Sequence, residues 1–358
     1  MTDIAGLLIL LTLAAVPIAW ALPRAWALDG IACWTACALA VLAPLSAAWL
    51  LAASVLTPVV LRAGEGVRLR GAVAAAWAAV LVAAFVCARL TPGLLWVGAS
   101  FFTLRHLHVV GEWWMKRLPP PHVREHLRYQ LFLPVILVGP IHRLQNFNRQ
   151  CLRRRWDAVN FLCGAERVLI GAFMAFVVGG WMLQRVSAPV ASALGGLHPF
   201  PRLWITSALE WVELYFVFAG LSDIALGTSL MIGLRLEENF NRPWRATSLL
   251  AFWTRWHMSL TSWAHDYVFQ PVMALGRNAF VGLLAAMLMI GLWHEFSAYY
   301  VLWSFWQVLG VVVTRVAIRA TPGLHLPGGV VAVLGPVLVL AWLSLARPVI
   351  ESGLQGIR

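Results

Sequence analysis

The chain reads as an all-α polytopic membrane protein, and three observations predict this. Of its 358 residues 61% are hydrophobic and only 12% charged, where an ordinary soluble domain carries about a quarter charged. Its mean hydropathy is +0.78. Apolar runs close to the ~20 residues that cross a bilayer as a helix recur from end to end. Together these predict a bundle of roughly nine to eleven membrane segments in a single domain, 1–358, with no sequence repeat and no separate soluble part.

The first run, 4–22, follows Thr2 and Asp3 rather than a basic leader and lacks a small-residue cleavage site, so it reads as a retained helix. Next come 31–61, long and carrying Pro44 inside it, and 71–88, then 168–184, 203–234, 279–293, 298–318 and 327–346. Three stretches fit poorly as plain spans. Two of them, 92–104 and 129–142, are short, and 248–275 is interrupted by polar residues. They read as re-entrant or broken helices, which survive at membrane depth only where protein or a watery cavity covers their backbone.

The net charge of +12 is almost all arginine, Lys116 being the one lysine. The arginines lie between apolar runs rather than along one soluble face, which argues against nucleic acid as a partner and for the positive-inside rule. Arg62, Arg68 and Arg70 form one cluster. Arg105, Lys116, Arg117, Arg124 and Arg128 form a second, and Arg143, Arg149, Arg153, Arg154 and Arg155 a third. All three are expected to face the cytoplasm, with 129–142 dipping in and returning between the last two. Abundant Arg and Ala point to a bacterial genome, and hence to the inner membrane.

The five cysteines show no metal-ligand spacing and no disulfide framework, and their odd count argues against full pairing, so packing roles are expected. His106 and His108, with His122 and His126, lie in a basic stretch broken by the prolines at 119–121. They are expected on a solvated amphipathic surface rather than in a metal site.

Two other histidines stand in apolar, tryptophan-rich surroundings: His257 in FWTRWHMSLTSWAHDY and His294 in MLMIGLWHEFSAYYVLW. An ionisable group at membrane depth is costly and by default marks a functional site. Imidazole, with an ordinary pKa of about 6.5, can exchange a proton near neutrality. Each histidine alone reads as a hydrogen-bonded core residue. The pair reads as a candidate reaction centre. Polar residues gather around them: Glu210 and Glu213 at three-residue spacing, Asp223 in a GLSD stretch, Arg255 two residues before His257, Asp266 nine after it, and Asn239, Asn241 and Arg242 in the turn ENFNRPW. Glu210, Glu213 and Asp266 fit internal ion pairs as well as they fit function. Trp256 and Trp293, each preceding a histidine, are expected to shape the cavity.

The block FAGLSDIALGTSLMIGLRLEENFNRPWRATSLLAFWTRWHMSLTSWAHDYVF, 218–269, resembles the signature of the membrane-bound O-acyltransferase family, in its bacterial branch of alginate O-acetylases and teichoic-acid D-alanyl transfer proteins. Three further segments agree in order: GASFFTLRHLHVVGEWW (98–114), LPVILVGPIHRLQNF (133–147) and GLWHEFSAYYVLWSFWQ (291–307). The similarity covers about 98–310 and leaves the helices of 1–97 as the variable part. Two departures stand out. Glu295 follows the second histidine where the family has Gly, and the early segment has Val109 and Glu112 where the family has Tyr and Asp.

The resemblance implies a bundle around a central tunnel and acyl transfer from a thioester to a hydroxyl. It assigns His294 as the base and His257, at a position where other branches carry Asn or Asp, as its hydrogen-bonding partner. Tentative substrate contacts are Asp223, Asn241, Arg242, Arg255, Trp256, Trp293 and Glu295. No metal and no permanently bound cofactor is implied. The donor would be acyl-coenzyme A or an acyl-phosphopantetheine carrier protein. The acceptor would be a cell-surface polysaccharide or a periplasmic protein that relays the acyl group. Acetyl is the expected group, with D-alanyl as the alternative, or a non-catalytic scaffold or transporter of an acylated glycan. No serine elbow and no Cys beside a base is present, so direct transfer needs no covalent intermediate. Glu295 beside the base is expected either to pair with a cation or tyrosine on a neighbouring helix or to raise the histidine's pKa.

Overall fold

The computed structural model describes residues 2–91, 97–136, 138–320 and 327–355. The start of the short stretch 92–104, and residue 137 inside 129–142, lie outside the described residues. Among the described residues all regular structure is helical. Among the described residues six helices are long and apolar enough to cross a membrane: Pro44–Ala63, Arg70–Leu90, the continuous Ala158–Gly196, Pro199–Met231, Ala298–Ala320 and Gly328–Leu354. Three shorter apolar helices are Ile9–Ala21, Ala27–Leu42 and Ala279–His294. The run 31–61 is not one helix. It divides into α2 (Ala27–Leu42) and α3 (Pro44–Ala63), because a proline lacks the N–H a helix interior needs but is tolerated in a first turn.

The chain forms two compact units, residues 1–171 with 221–237, and residues 172–220 with 238–358. The first holds α1 (Thr2–Ala21), α2, α3, α4 (Arg70–Leu90), α5 (Ala99–Trp114), α6 (Val123–Gln130), α7 (Leu144–Arg153), α8 (Ala158–Ala172) and the last turns of α10 (Pro199–Met231). Its core gathers Leu61, Trp113, Tyr129, Phe132 and Phe147. Over 129–142, α6 ends at Gln130 and, among the described residues, a single 3₁₀ turn, Leu133–Val135, follows within a buried, irregular segment. That placement is the one irregular backbone tolerates in a membrane protein.

The same core corrects the expectation for the histidines. His106, His108 and His126 are buried, and only His122 is exposed. His106 Nδ1 lies 3.2 Å from Thr57 Oγ1, and His126 Nδ1 lies 2.8 Å from the Ser54 carbonyl. His108 Nε2 accepts the Leu144 N–H at 3.1 Å. α3 and α6 pack together here, so polar side chains that look surface-bound in the sequence bond to buried partners instead. Several arginines do the same. Arg105 is fully buried and donates to the Tyr129 and Gln130 carbonyls, both at 3.2 Å. Arg154 donates to the Ile232 carbonyl at 2.8 Å and to that of Ala19. Arg124 and Arg128 both clasp Asp29, at 2.7 and 2.6 Å. The cysteines are corrected too: Cys33, Cys37, Cys87 and Cys163 are exposed rather than packed, and only Cys151 is partly covered.

The second unit holds a π-helical stretch, Phe173–Leu183, then α9 (Gln184–Ala193), the first part of α10, and α11 (Leu249–Trp253), α12 (Met258–Ala264), α13 (Gln270–Gly276), α14 (Ala279–His294), α15 (Ala298–Ala320) and α16 (Gly328–Gln355). The polar-interrupted stretch 248–275 is broken into α11, α12 and α13, with a turn between the first two and the π-helical stretch His265–Phe269 between the last two. Tryptophan N–H groups stitch the long helices: Trp204 Nε1 donates to Ser344 Oγ and Trp306 Nε1 to the Trp342 carbonyl, both at 3.0 Å. α14 and α15 pack closely because Gly291 lacks a side chain. A Cβ there would sit 2.7 Å from the Tyr300 carbonyl oxygen.

Candidate active site

Both motif histidines belong to the second unit, and each owes its position to a helix end. His257 lies between α11 and α12, where it is the residue before the first turn of α12. Its backbone is left-handed, φ 43° and ψ 52°, a conformation that costs an L-residue with a Cβ roughly 1–2 kcal/mol and that gathers at functional sites. The ENFNRPW turn holds it there. The Met258 N–H donates to the Asn239 carbonyl at 2.8 Å, and Ser259 Oγ donates to Asn239 Oδ1 at 2.6 Å. One step further along, the Asn241 N–H donates to the Arg255 carbonyl at 2.9 Å, and Arg255 Nη1 donates back to the Asn241 carbonyl at 3.2 Å. Two strands of bonding therefore brace the turn on both sides of His257.

His294 is the last residue of α14, because Glu295 turns to extended backbone at φ −162° and ends the helix. Its imidazole stacks on Tyr300, with ring centres 5.6 Å apart and planes 20° apart, and meets the Trp293 ring edge-on at 4.9 Å. The His257 imidazole lies 4.8 Å from Phe218 and 5.9 Å from Trp293. Trp293 thus touches both imidazoles.

A cavity of about 330 Å³ is lined by His257, His294, Trp256, Tyr300, Glu210 and Arg347, among others. His257 is 3% exposed, whereas His294 is open to the cavity. Burial, with His294 adding like charge, holds the His257 imidazole well below its ordinary value, so this ring stays neutral. Glu210 does not stand alone: Arg347 Nη1 donates to both its oxygens, 2.6 Å to Oε2, and Arg347 Nε donates to Glu351 at 2.8 Å.

The structure brings only part of the sequence-derived set to this cavity. His257, His294 and Trp256 line it, and Trp293 backs both rings. Asn241, Arg242 and Arg255 are not on its wall. Asn241 and Arg255 brace the turn beneath it, and Arg242 adopts left-handed backbone at φ 46° on an exposed turn. Asp223 belongs to the first unit, where Arg167 Nε and Nη2 donate to its Oδ1 at 2.8 and 2.7 Å. Glu295 is exposed just past the helix end, is not on the cavity wall and, among the described residues, makes no ion pair. The expected pairing with a cation or tyrosine fails because the helix has already ended, leaving the carboxylate outside the apolar span. Glu213 accepts from Gln184 at 3.2 Å, and Asp266 lies 3.2 Å from His265 Nδ1.

Two contributors escaped the sequence reading, Tyr300 as the platform for His294 and Arg347 as the partner of Glu210, while Asn239, read only as part of the turn, proves to be the clasp under His257. Tyr300 carried a signal, since it opens the helix that follows the second histidine. Arg347 lies 137 residues from Glu210 and carried none. Among the described residues no group of three or more His, Cys, Asp or Glu side chains could hold a metal ion.

An imidazole open to an aromatic cavity, with a second, neutral imidazole held rigidly beside it, can take a proton from a hydroxyl and steady a developing charge. Fold and site together define a helical membrane protein with a histidine-bearing cavity. Over residues 116–343 the sequence matches the membrane-bound O-acyltransferase family, and the chain belongs to it.

Bacterial proteins are among its relatives. It is 29% identical over 242 residues to the probable alginate O-acetylase AlgI of Pseudomonas aeruginosa, covering 65% of this chain and 45% of the relative. It is 30% identical over 243 residues to the teichoic acid D-alanyltransferase of Streptococcus thermophilus, covering 63% and 58%. The peptidoglycan O-acetyltransferase of Helicobacter pylori is 27% identical over 217 residues, covering 57% and 40%. The matched part thus spans about half the length of these relatives.

Proposed function

We propose that this protein is a membrane-bound acyltransferase that moves an acyl group, in the simplest case acetyl, from a thioester to a hydroxyl. The observation that carries the reading is the meeting of His257 and His294 on the wall of one cavity. In the proposed reaction His294 takes the hydroxyl proton as the oxygen attacks the thioester carbonyl carbon. The tetrahedral intermediate collapses with loss of the thiolate, which regains a proton from the His294 imidazolium. His257, neutral and fixed, serves as the hydrogen-bonding partner rather than the base. No resident cofactor takes part, and the thioester is a substrate.

The donor in this reading is cytosolic, coenzyme A or a phosphopantetheine carrier protein. The acceptor is a polysaccharide hydroxyl outside the inner membrane, or a periplasmic protein that relays the group, reached through a central tunnel. The alginate and peptidoglycan acetylases among the relatives support acetyl and a glycan acceptor. The Streptococcus relative supports D-alanyl as the second choice. A non-catalytic scaffold or glycan transporter would have no use for a neutral, clasped His257 facing an accessible His294.

The test is transfer of radiolabelled acetyl from acetyl-coenzyme A or an acetylated carrier protein to glycan by the purified protein. His294→Ala and His294→Gln should both lose about 10²- to 10⁴-fold in rate while remaining monodisperse in detergent. Wild-type turnover in either variant would remove His294 from the reaction.

A further inference from the structure

The first unit contains a second pocket, of about 170 Å³, with chemistry unlike that of the histidine cavity. It lies where the end of α7, the start of α8 and the turn after α10 meet, and Gln150, Arg153, Arg155, Asp157, Asn160 and Arg235 line it. The turn closes on this spot because Gly233 takes left-handed backbone at φ +93° and a Cβ there would stand 3.2 Å from the Arg155 carbonyl oxygen. Three arginines from segments about eighty residues apart in the chain therefore line one concavity.

The positive-inside rule accounts for arginines in this loop but not for their convergence. Nor is the cluster used up by structure. Arg154, between the two lining arginines, is turned inward and spent on the Ile232 and Ala19 carbonyls. Among the described residues the guanidiniums of Arg153 and Arg155 meet no carboxylate and make no side-chain hydrogen bond, while Arg235 Nη2 donates to Asn160 Oδ1 at 3.2 Å. That contact leaves the Asn160 amide nitrogen to donate. The one carboxylate, Asp157, already accepts the Asn160 N–H at 3.0 Å as the cap of α8. What remains is a surplus of planar, forked donors around a small space, the arrangement that suits a tetrahedral oxyanion.

We propose that this pocket binds a phosphate group, gripped by Arg153, Arg155 and Arg235. Two sources carry that chemistry: the phosphates of a thioester donor, which rests on the acyl-transfer reading above, and the headgroup of an anionic phospholipid, which does not.

The test uses the full chain carrying His294→Ala, so that binding is read without turnover, in nanodiscs of phosphatidylcholine. Coenzyme A and inorganic phosphate are titrated calorimetrically, and phosphatidylglycerol retained through purification is measured by native mass spectrometry. Against this background the Arg153→Gln/Arg155→Gln double variant and Arg235→Gln should each lose about tenfold or more in affinity for at least one probe. Arg235→Lys should lose less, and Arg149→Gln, outside the pocket, should lose nothing. Weakened coenzyme A binding assigns the site to the donor. Loss of bound phosphatidylglycerol alone assigns it to lipid and leaves the transfer reaction to its own test. If both Gln variants match the parent in all three measurements, or the parent takes none of the probes, the pocket is not a phosphate site.

Discussion

Ser259 Oγ donates to Asn239 Oδ1 at 2.6 Å, and this short bond holds the turn on which His257 stands. Both residues are buried, and the Asn239 carbonyl also accepts the Met258 N–H. Asn239→Ala should therefore leave a buried hydroxyl without its acceptor, at about 1–3 kcal/mol. Thermal unfolding in detergent should report that loss, and acyl transfer should fall further than stability does because the His257 ring loses its fixed direction. Ser259→Ala, which removes only the donor, should be the milder change. Equal activity in Asn239→Ala and the wild type would show that the clasp does not position the histidine.

His257 should reveal itself through pH. Its folded-state pKa is depressed by burial, so in the unfolded chain it takes up a proton below about 6.5 while the native ring stays neutral. Its contribution to stability is therefore complete above that pH and is lost as the pH falls below it. The wild type should lose melting temperature on acidification from pH 7 to 5, and His257→Asn should lose less over the same range. Asn also tolerates left-handed backbone better than Ala does. The order of stability at pH 7.5 is then expected to be Asn above Ala, with activity following the same order.

Glu210 and Arg347 join α10 to α16 on the cavity wall, with Glu351 as the third member. Their side chains are 55% and 33% exposed, so solvent screens the pair. A double-mutant cycle with Glu210→Gln and Arg347→Gln should give a coupling of about 1 kcal/mol or less. The effect on transfer should exceed that for Arg347→Gln, which leaves the Glu210 carboxylate uncompensated beside the site, whereas Glu210→Gln leaves Arg347 still paired with Glu351. Additive effects on activity as well as stability would mark the pair as a surface feature.

Gly291 sets the approach of α15 to α14 and with it the stacking of Tyr300 on His294. A Val side chain there would meet the Tyr300 carbonyl at once, and overpacking of this kind costs about 1–3 kcal/mol. Gly291→Val should lower the melting temperature and reduce kcat with little change in KM for the donor. A variant that folds less well yet turns over at the wild-type rate would show that the Tyr300 platform is dispensable.

Much of this protein was legible in the sequence. Apolar runs of near-span length dictate helices because no other element satisfies its backbone within a bilayer. The two histidines in tryptophan-rich surroundings, with the 218–269 block, point to acyl transfer from the sequence alone. Helix ends were less legible. The run 31–61 reads as one span although Pro44 divides it, and nothing local announced that α14 would stop at His294 and put Glu295 outside it.

What only the tertiary structure decided concerns partners distant in the chain. The sequence makes His106, His108 and His126 look like members of a wet basic loop, yet helix packing buries them against Thr57 Oγ1, the Leu144 N–H and the Ser54 carbonyl. It places Asp223 in the same motif block as His257, yet helical geometry directs Asp223 to Arg167. It leaves Glu210 open to an ion pair or to function and gives no sign that Arg347 is its partner. Local residue patterns fix which segments become helices, since that is a matter of neighbouring backbone and nearby side chains. Which polar groups meet depends on how helices far apart in sequence pack, and no window of the sequence contains that information.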